Sequence, residues 1–417
     1  MRRRDFAKLA GLAGVAAAGL PSAPARAAAA ATWRVTGTSV PALASFDSTM
    51  KDFMQARGVS GGQLAVTYQG RLVLARGYTY SDDTSLTVQP TSLFRVASLS
   101  KTVTAAAVAR LAQDGKLSLA SPVTSLLSLT PPDGQAADPR LSNVSLLRLL
   151  QHTGGWDRAI TPDPLFQDRV ISRALGVPME ISGDDIVRYT TGKALDFAPG
   201  GRYAYSNYGY LLAGQVIEKV SGMPYASYVQ QHLLNPIGIT RMKLGWSIAP
   251  HTGEVPYRSQ YTGTTVLNES GATVAGPYGA FSMGNQWGNG RWVASAVDMV
   301  RWARVFDGAS SVLDSTSLAR VFAQPEIGVS NGWYYGLGWN VRPVTTGGTG
   351  RNTWHTGSLP GNYSLLVRTY QGMSWAALFN QRDDASGRSY DDIDPALWTA
   401  SRAVTSWPAH DLFPNYF

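Results

Sequence analysis

The sequence predicts an α+β fold in which one antiparallel β-sheet, flanked by helices, is interrupted by an inserted all-helical region. Three observations carry this. Near the start, Gln63-Leu64-Ala65-Val66-Thr67-Tyr68 and Arg71-Leu72-Val73-Leu74-Ala75-Arg76-Gly77 flank Gln69-Gly70, the two-residue spacing of a hairpin. Near the end, strand-like runs return at 336–341, 352–356, 363–369 and 374–379, with Gln371-Gly372 as a second tight turn. Between them, from about 118 to 290, alternation is scarce and helix signals with Gly and Pro punctuation dominate. The early hairpin and the late strands are expected to pair into one sheet across that insertion.

The elements follow in order. Arg3-Arg4-Asp5-Phe6-Ala7-Lys8, the apolar run 9–20 and Ala25-Arg26-Ala27 read as a signal peptide over residues 1–27, and the arginine pair resembles a twin-arginine signal. The apolar run is too short for a membrane span, so an exported protein with no span after signal removal is expected. A helix at 46–57 precedes the hairpin, and an Ala-rich helix at 102–115 follows it. The inserted region should hold helices at 144–151, 184–190, 208–220 and 223–234. Helices at 295–306 and 315–322 lead back to the late strands, and one at 393–403 closes the chain. No linker separates independent domains, so residues 33–417 form one unit: a sheet region of about 33–117 and 291–417, and a helical region of about 118–290.

Composition narrows the chemistry. With 417 residues, 44% of them hydrophobic and 15% charged, the chain can bury a sizeable core. It has no cysteine, which removes disulfides, thiolate catalysis and Cys-based metal sites, and its five histidines form no ligand spacing, so no metal or other cofactor is expected. The formal net charge is +8; loss of residues 1–27 lowers it by four, and no basic cluster follows, which argues against a nucleic-acid partner. The basic residues are mostly arginine, so each lysine is informative, because lysine alone can shed its proton on burial.

Lys101 is such a lysine. Phe94-Arg95-Val96-Ala97 delivers Ser98 to a helix start, and Lys101, three residues on, shares its face: a hydroxyl and an amine held as nucleophile and base. The same four-residue pattern at Ser48-Thr49-Met50-Lys51 lies inside an amphipathic helix and reads as coincidence. Tyr205-Ser206-Asn207 opens a second helix, where Tyr205 could shuttle a proton and Asn207 could meet a substrate amide, or Ser206 or Asn207 could merely cap it. His355-Thr356-Gly357-Ser358 lies on a predicted strand whose glycine admits close approach of a ligand backbone. The earlier His152-Thr153-Gly154 ends a helix and reads as architecture. A Gly-x-Ser-x-Gly elbow is missing, since Gly245-Trp246-Ser247-Ile248-Ala249 fails at its last position.

In chain order, Ser-x-x-Lys, Tyr-x-Asn and His-Thr-Gly resemble the penicillin-recognising serine hydrolases, the branch of class C β-lactamases, secreted D-Ala-D-Ala carboxypeptidases and related esterases. Leu149-Leu150-Gln151-His152-Thr153-Gly154-Gly155 and Pro199-Gly200 fit as well. The resemblance implies a β-lactamase/transpeptidase-like fold with its cleft between sheet and helical regions. It implies Ser98 as nucleophile, Lys101 and Tyr205 as proton-transfer partners, and Asn207, His355, Thr356, Gly357 and Ser358 as substrate or network contacts. It also implies an oxyanion hole from the backbone N–H groups of Ser98 and Ser358. Class C β-lactamases carry Lys where this chain has His355, which favours the peptidase or esterase branches. The expected partner is a small molecule or peptide with an acyl group; oligomeric state and the choice of base between Lys101 and Tyr205 stay open. A catalytically silent binder of cell-wall fragments is the reading from another class, and the aromatics Trp156, Tyr208, Tyr278, Trp287 and Trp292 are candidates for either cleft or core.

Overall fold

The early hairpin forms as its turn residues dictate. Gln69 and Gly70 both take positive φ (48° and 78°), the primed turn whose twist suits two-residue hairpins, and they join β2 (Gly61–Tyr68) to β3 (Arg71–Ser81). The computed structural model describes residues 31–344, 350–382 and 386–417; the signal peptide read over 1–27 lies outside them. An edge strand β1 (Thr32–Thr36) pairs with β3. The late strands are β4 (Tyr334–Tyr335), β5 (Asn340–Pro343), β6 (Arg351–Leu359), β7 (Asn362–Arg368) and β8 (Met373–Phe379). The order across the sheet is β1-β3-β2-β8-β7-β6-β5-β4, antiparallel throughout. The pairing of β2 with β8, Ala65 opposite Ala376, joins the two halves of the chain across the insertion.

Helices cover both faces. Leu64, Val66, Leu365, Val367, Ala377 and Phe379 bury against α1 (Ala44–Arg57) and α5 (Ile393–Arg402), while Ala65, Leu366, Ala376 and Leu378 face the other way. On that second face lie α2 (Ser100–Gln113) and α4 (Ala296–Ala303). Alternation of period two is thus kept, with both faces apolar because both are covered. Helix α2 is buried on almost every side, which its small alanines permit, since it is held between the sheet and α3 (Asn207–Ser221) of the inserted region. Ser48-Thr49-Met50-Lys51 falls in α1, with Met50 turned into the core.

Three details differ from the sequence reading. The run 336–341 is no continuous strand: Gly338, at φ +76°, breaks it between β4 and β5, and a Cβ there would meet the Lys101 carbonyl at 2.7 Å. The turn at Gln371-Gly372 is a four-residue loop, 369–372, in which Gly372 takes positive φ and Gln371 does not, so a two-residue primed turn cannot form. Within 118–290 the helices are joined by a small ribbon, Thr262–Thr264 with Thr273–Ala275, and by Lys243–Leu244, which pairs with Trp292–Ala294 just beyond it; strands of two or three residues carry too little alternation to announce themselves.

Candidate active site

The nucleophile turn is clamped before it begins. Phe94–Arg95 pairs with Trp292–Ala294, and the buried Arg95 guanidinium donates to the carbonyls of Pro277 (2.8 Å) and Trp246 (2.9 Å) while lying 4.3 Å from the Tyr257 ring centroid. Asn362 Nδ2 donates to Arg95 O and Ser364 Oγ to Val96 O, both at 2.8 Å, fixing the next two peptides from β7. These contacts hold Ala97 at φ +46°, a left-handed conformation worth roughly 1–2 kcal/mol of strain for a residue with a Cβ. Ser98 follows in a 3₁₀ turn that runs into α2, so its hydroxyl stands at the helix start. Strand β6 lies flat against this turn, because a Cβ on Gly357 would sit 2.3 Å from Val96 O and 3.1 Å from Ser98 N.

Lys101 is fully buried and its Nζ touches three oxygens: Ser98 Oγ at 3.0 Å, Asn207 Oδ1 at 2.7 Å and the Asn289 carbonyl at 2.9 Å. Burial drives its pKa well below the ordinary lysine value; the Asp163 carboxylate opposes this and the Arg158 guanidinium adds to it. A neutral amine has two N–H bonds and one lone pair. In that form, N–H bonds to Asn207 Oδ1 and Asn289 O leave the lone pair for the Ser98 hydroxyl; as an ammonium, Lys101 donates to all three oxygens.

Ser206 caps α3, its Oγ accepting from Gly209 N at 3.3 Å, and this aims its neighbours at Lys101. The Tyr205 ring centroid lies 4.8 Å from Lys101 Nζ; burial pushes the phenol's pKa up, against a side-chain interaction with Ser98, so the phenol stays protonated. Asn207 donates from Nδ2 to Asp163 Oδ2 at 2.6 Å. His152 stands behind Tyr205 with ring centroids 4.3 Å apart, and its Nδ1 accepts from Ser206 N at 3.1 Å, tying the first His-Thr-Gly copy to the Tyr-x-Asn turn.

His355 lies one layer back from the cleft. It is buried, with Nδ1 2.6 Å from Thr356 O and Nε2 2.8 Å from the Tyr335 hydroxyl; a carbonyl can only accept, so Nδ1 carries the proton and Nε2 accepts from Tyr335. Burial, then the charge of Lys101, pushes its pKa down to about 3 against the pull of the Thr356 carbonyl. It therefore offers no cation to a substrate near neutral pH, and Thr356 and Gly357 are not among the residues that line the cleft.

The cleft itself measures about 240 Å³ and brings Ser98, Tyr205 and Asn207 from one side to Ser358 on the other. Beyond Trp354, β6 has left its pairing with β5, and its Ser358 and Leu359 line this space. Residues that sequence reasoning missed complete it: Gln286, Asn289, Phe166, Arg158 and Arg382. Asn289 acts through its backbone carbonyl, which no side-chain pattern can signal, and the stretch Gly284-Asn285-Gln286-Trp287-Gly288-Asn289-Gly290 reads as turn punctuation. Arg158 and Arg382 give the lining two guanidiniums, with no carboxylate among the described residues that line it. The five aromatics singled out from sequence do not line this cleft; Tyr208 and Trp292 are core, and Phe166 is the aromatic at its rim.

The fold has relatives among known proteins. Residues 46–397 fit the model of the Beta-lactamase family. Protein flp of Staphylococcus aureus (strain MW2) is 27% identical over 192 residues, 46% of this chain and 36% of that protein, so the chain spans little more than a third of this curated relative. Among solved structures, the octameric penicillin-binding protein homologue from Pyrococcus abyssi superposes with a TM-score of 0.64 at 20% identity, over 88% of this chain and 79% of that one. The D-amino acid amidase from Ochrobactrum anthropi SV3 does so with a TM-score of 0.66 at 20% identity, over 88% and 99%. The sheet with its inserted helices and the match over most of its length make this chain a member of the Beta-lactamase family of serine hydrolases.

Proposed function

We propose that the protein opens an amide or ester through a covalent Ser98 acyl-enzyme, with D-Ala-D-Ala carboxypeptidase-like or esterase-like specificity, and that it acts outside the cytoplasm after export. The observation that carries this is the buried Lys101 amine 3.0 Å from Ser98 Oγ and held by Asn207 Oδ1 and the Asn289 carbonyl. As Oγ attacks the substrate carbonyl carbon, its proton passes to Lys101 Nζ and the carbonyl becomes an oxyanion facing the Ser98 and Ser358 backbone N–H groups. Donors so placed are worth about 2.7–4 kcal/mol each in the transition state. Collapse breaks the bond to the leaving group, which takes the proton held on Lys101 by relay through the Tyr205 hydroxyl; water then attacks the ester carbonyl, passes its proton to Lys101, and Ser98 Oγ leaves with that proton.

Two guanidiniums at the cleft suit a substrate that carries a free carboxylate, such as a peptide C-terminus. Neutral His355 in place of a lysine favours peptide and ester substrates over β-lactams. The fold-level likeness to a D-amino acid amidase adds D-amino-acid amides to the test panel. A fluorophosphonate is expected to label the protein stoichiometrically, and Ser98→Ala to abolish both label and turnover. kcat/KM should rank a D-Ala-D-Ala peptide or p-nitrophenyl esters above nitrocefin; normal turnover by Ser98→Ala would overturn the mechanism. Export is tested by replacing Arg3 and Arg4 with Lys, which should leave the protein unprocessed inside the cell.

A further inference from the structure

Asp163 stands between Pro162 and Pro164 on the loop that enters the cleft rim, and its half-buried carboxylate is an acceptor in both of its hydrogen bonds. Oδ2 takes the Asn207 Nδ2 proton at 2.6 Å, and Oδ1 takes the Leu165 backbone N–H at 3.2 Å. Asn207 in turn presents Oδ1 to Lys101 Nζ at 2.7 Å. We propose that Asp163 is a positioning residue for acyl transfer: it fixes which end of the Asn207 amide meets Lys101 and so keeps the amine's lone pair on Ser98.

The argument is one of donors and acceptors. An amide can turn over with little change in shape, exchanging its oxygen for its NH₂. Turned over, Asn207 would donate to Lys101, and a neutral amine would spend its lone pair on that N–H instead of on the Ser98 hydroxyl. The same turn would set Asn207 Oδ1 against Asp163 Oδ2, acceptor against acceptor. A carboxylate therefore forbids the unproductive orientation, whereas a neutral amide at position 163 would accept either.

Asp163 also acts through charge. Around Lys101 stand Ser98 on its own turn, Asn207 and the Tyr210 ring from α3, Tyr205, the Asn289 carbonyl, Arg158, Asp163, and the buried His152 and His355. Burial keeps both histidines neutral; it also pushes the Asp163 carboxyl up, against the N–H groups of Asn207 and Leu165 and the Arg158 guanidinium, and once ionised Asp163 is the anion that favours an ammonium on Lys101, which Arg158 opposes. Removing it must move the proton equilibrium of Lys101 to lower pH.

Asp163→Asn separates these effects from simple damage. The rate of Ser98 labelling by a fluorophosphonate is followed against pH in the full-length protein, which needs no natural substrate. The variant should lose roughly tenfold or more at its plateau, the scale of a general-base contribution partly forfeited, while the midpoint of its acid limb moves to lower pH. An unchanged plateau, or a lowered plateau with an unmoved midpoint, overturns the proposal. Should Asp163→Asn fail to fold, Asp163→Glu keeps the charge and the acceptor-only character, and its midpoint must stay where the parent's is; a displaced midpoint overturns the role. The inference rests on the acyl-enzyme reading: no label on the parent at Ser98 overturns that reading, whereas a labelled parent with an unaffected Asp163→Asn overturns the role of Asp163 alone.

Discussion

His355 shows how far a single side chain's surroundings decide what its motif can mean. Strand β6 carries it into the layer behind Tyr205, where Tyr335 and the Thr356 carbonyl take both ring nitrogens. A lysine there would bring an ammonium into a buried site that already faces Lys101. His355→Lys is therefore expected to cost on the order of 3–5 kcal/mol of stability, the penalty of an unpaired buried charge, and to gain no nitrocefin turnover. Thermal melting beside a nitrocefin assay checks both. At this scale the sequence pointed to Ser98 with Lys101 and Tyr205 with Asn207, short motifs whose side chains the fold brings together. It was silent on Asn289, which contributes a carbonyl, and on Asp163, whose place between two prolines reads as a turn.

Among elements, the contact that matters most is that of β6 with the turn before α2. Ser364 of β7 reaches past Gly357 to the Val96 carbonyl, a reach that the missing Cβ allows, and Asn362 holds the Arg95 carbonyl beside it. Gly357→Ala would drive a methyl into Val96 O and Ser364 Oγ and lift the strand from the turn. Its kcat should fall by about tenfold or more, since small misplacement of reacting groups costs up to a hundredfold, with KM less affected; steady-state kinetics on a p-nitrophenyl ester would show it. The paired strands were readable because β2, β3, β7 and β8 carry long apolar runs with turn residues between them. Strand β1 was not, because Thr32-Trp33-Arg34-Val35-Thr36 is a short, polar edge.

For the molecule as a whole, buried ionisable groups set how stability follows pH. Asp168 is buried, and its pKa is raised to about 6, by burial first and by Glu180 last, against the Asn285 amide that donates to it at 3.1 Å. The folded protein thus holds this proton more tightly than the unfolded chain, so the contribution of Asp168 is favourable at low pH and is lost as pH rises through about 6. Asp168→Asn should raise stability at pH 8 by up to about 3 kcal/mol and give no gain at pH 4, read from melts at the two pH values. His152 and His355 work in the opposite sense: both are held neutral, so stability falls as pH drops below about 6.5, where the unfolded chain takes up their protons.

The order of strands also has a meaning in time. The hairpin at 61–81 finds its neighbour β8 only after some three hundred further residues have been made, and the cleft wall at Ser358 belongs to that late portion. Every other residue that lines the cleft follows Ser98 in the chain, with Ser358 and Arg382 among the last, so the cleft is complete only once the late strands have docked. On the acyl-enzyme reading proposed above, the rate at which an acylating probe labels newly made protein would follow that docking.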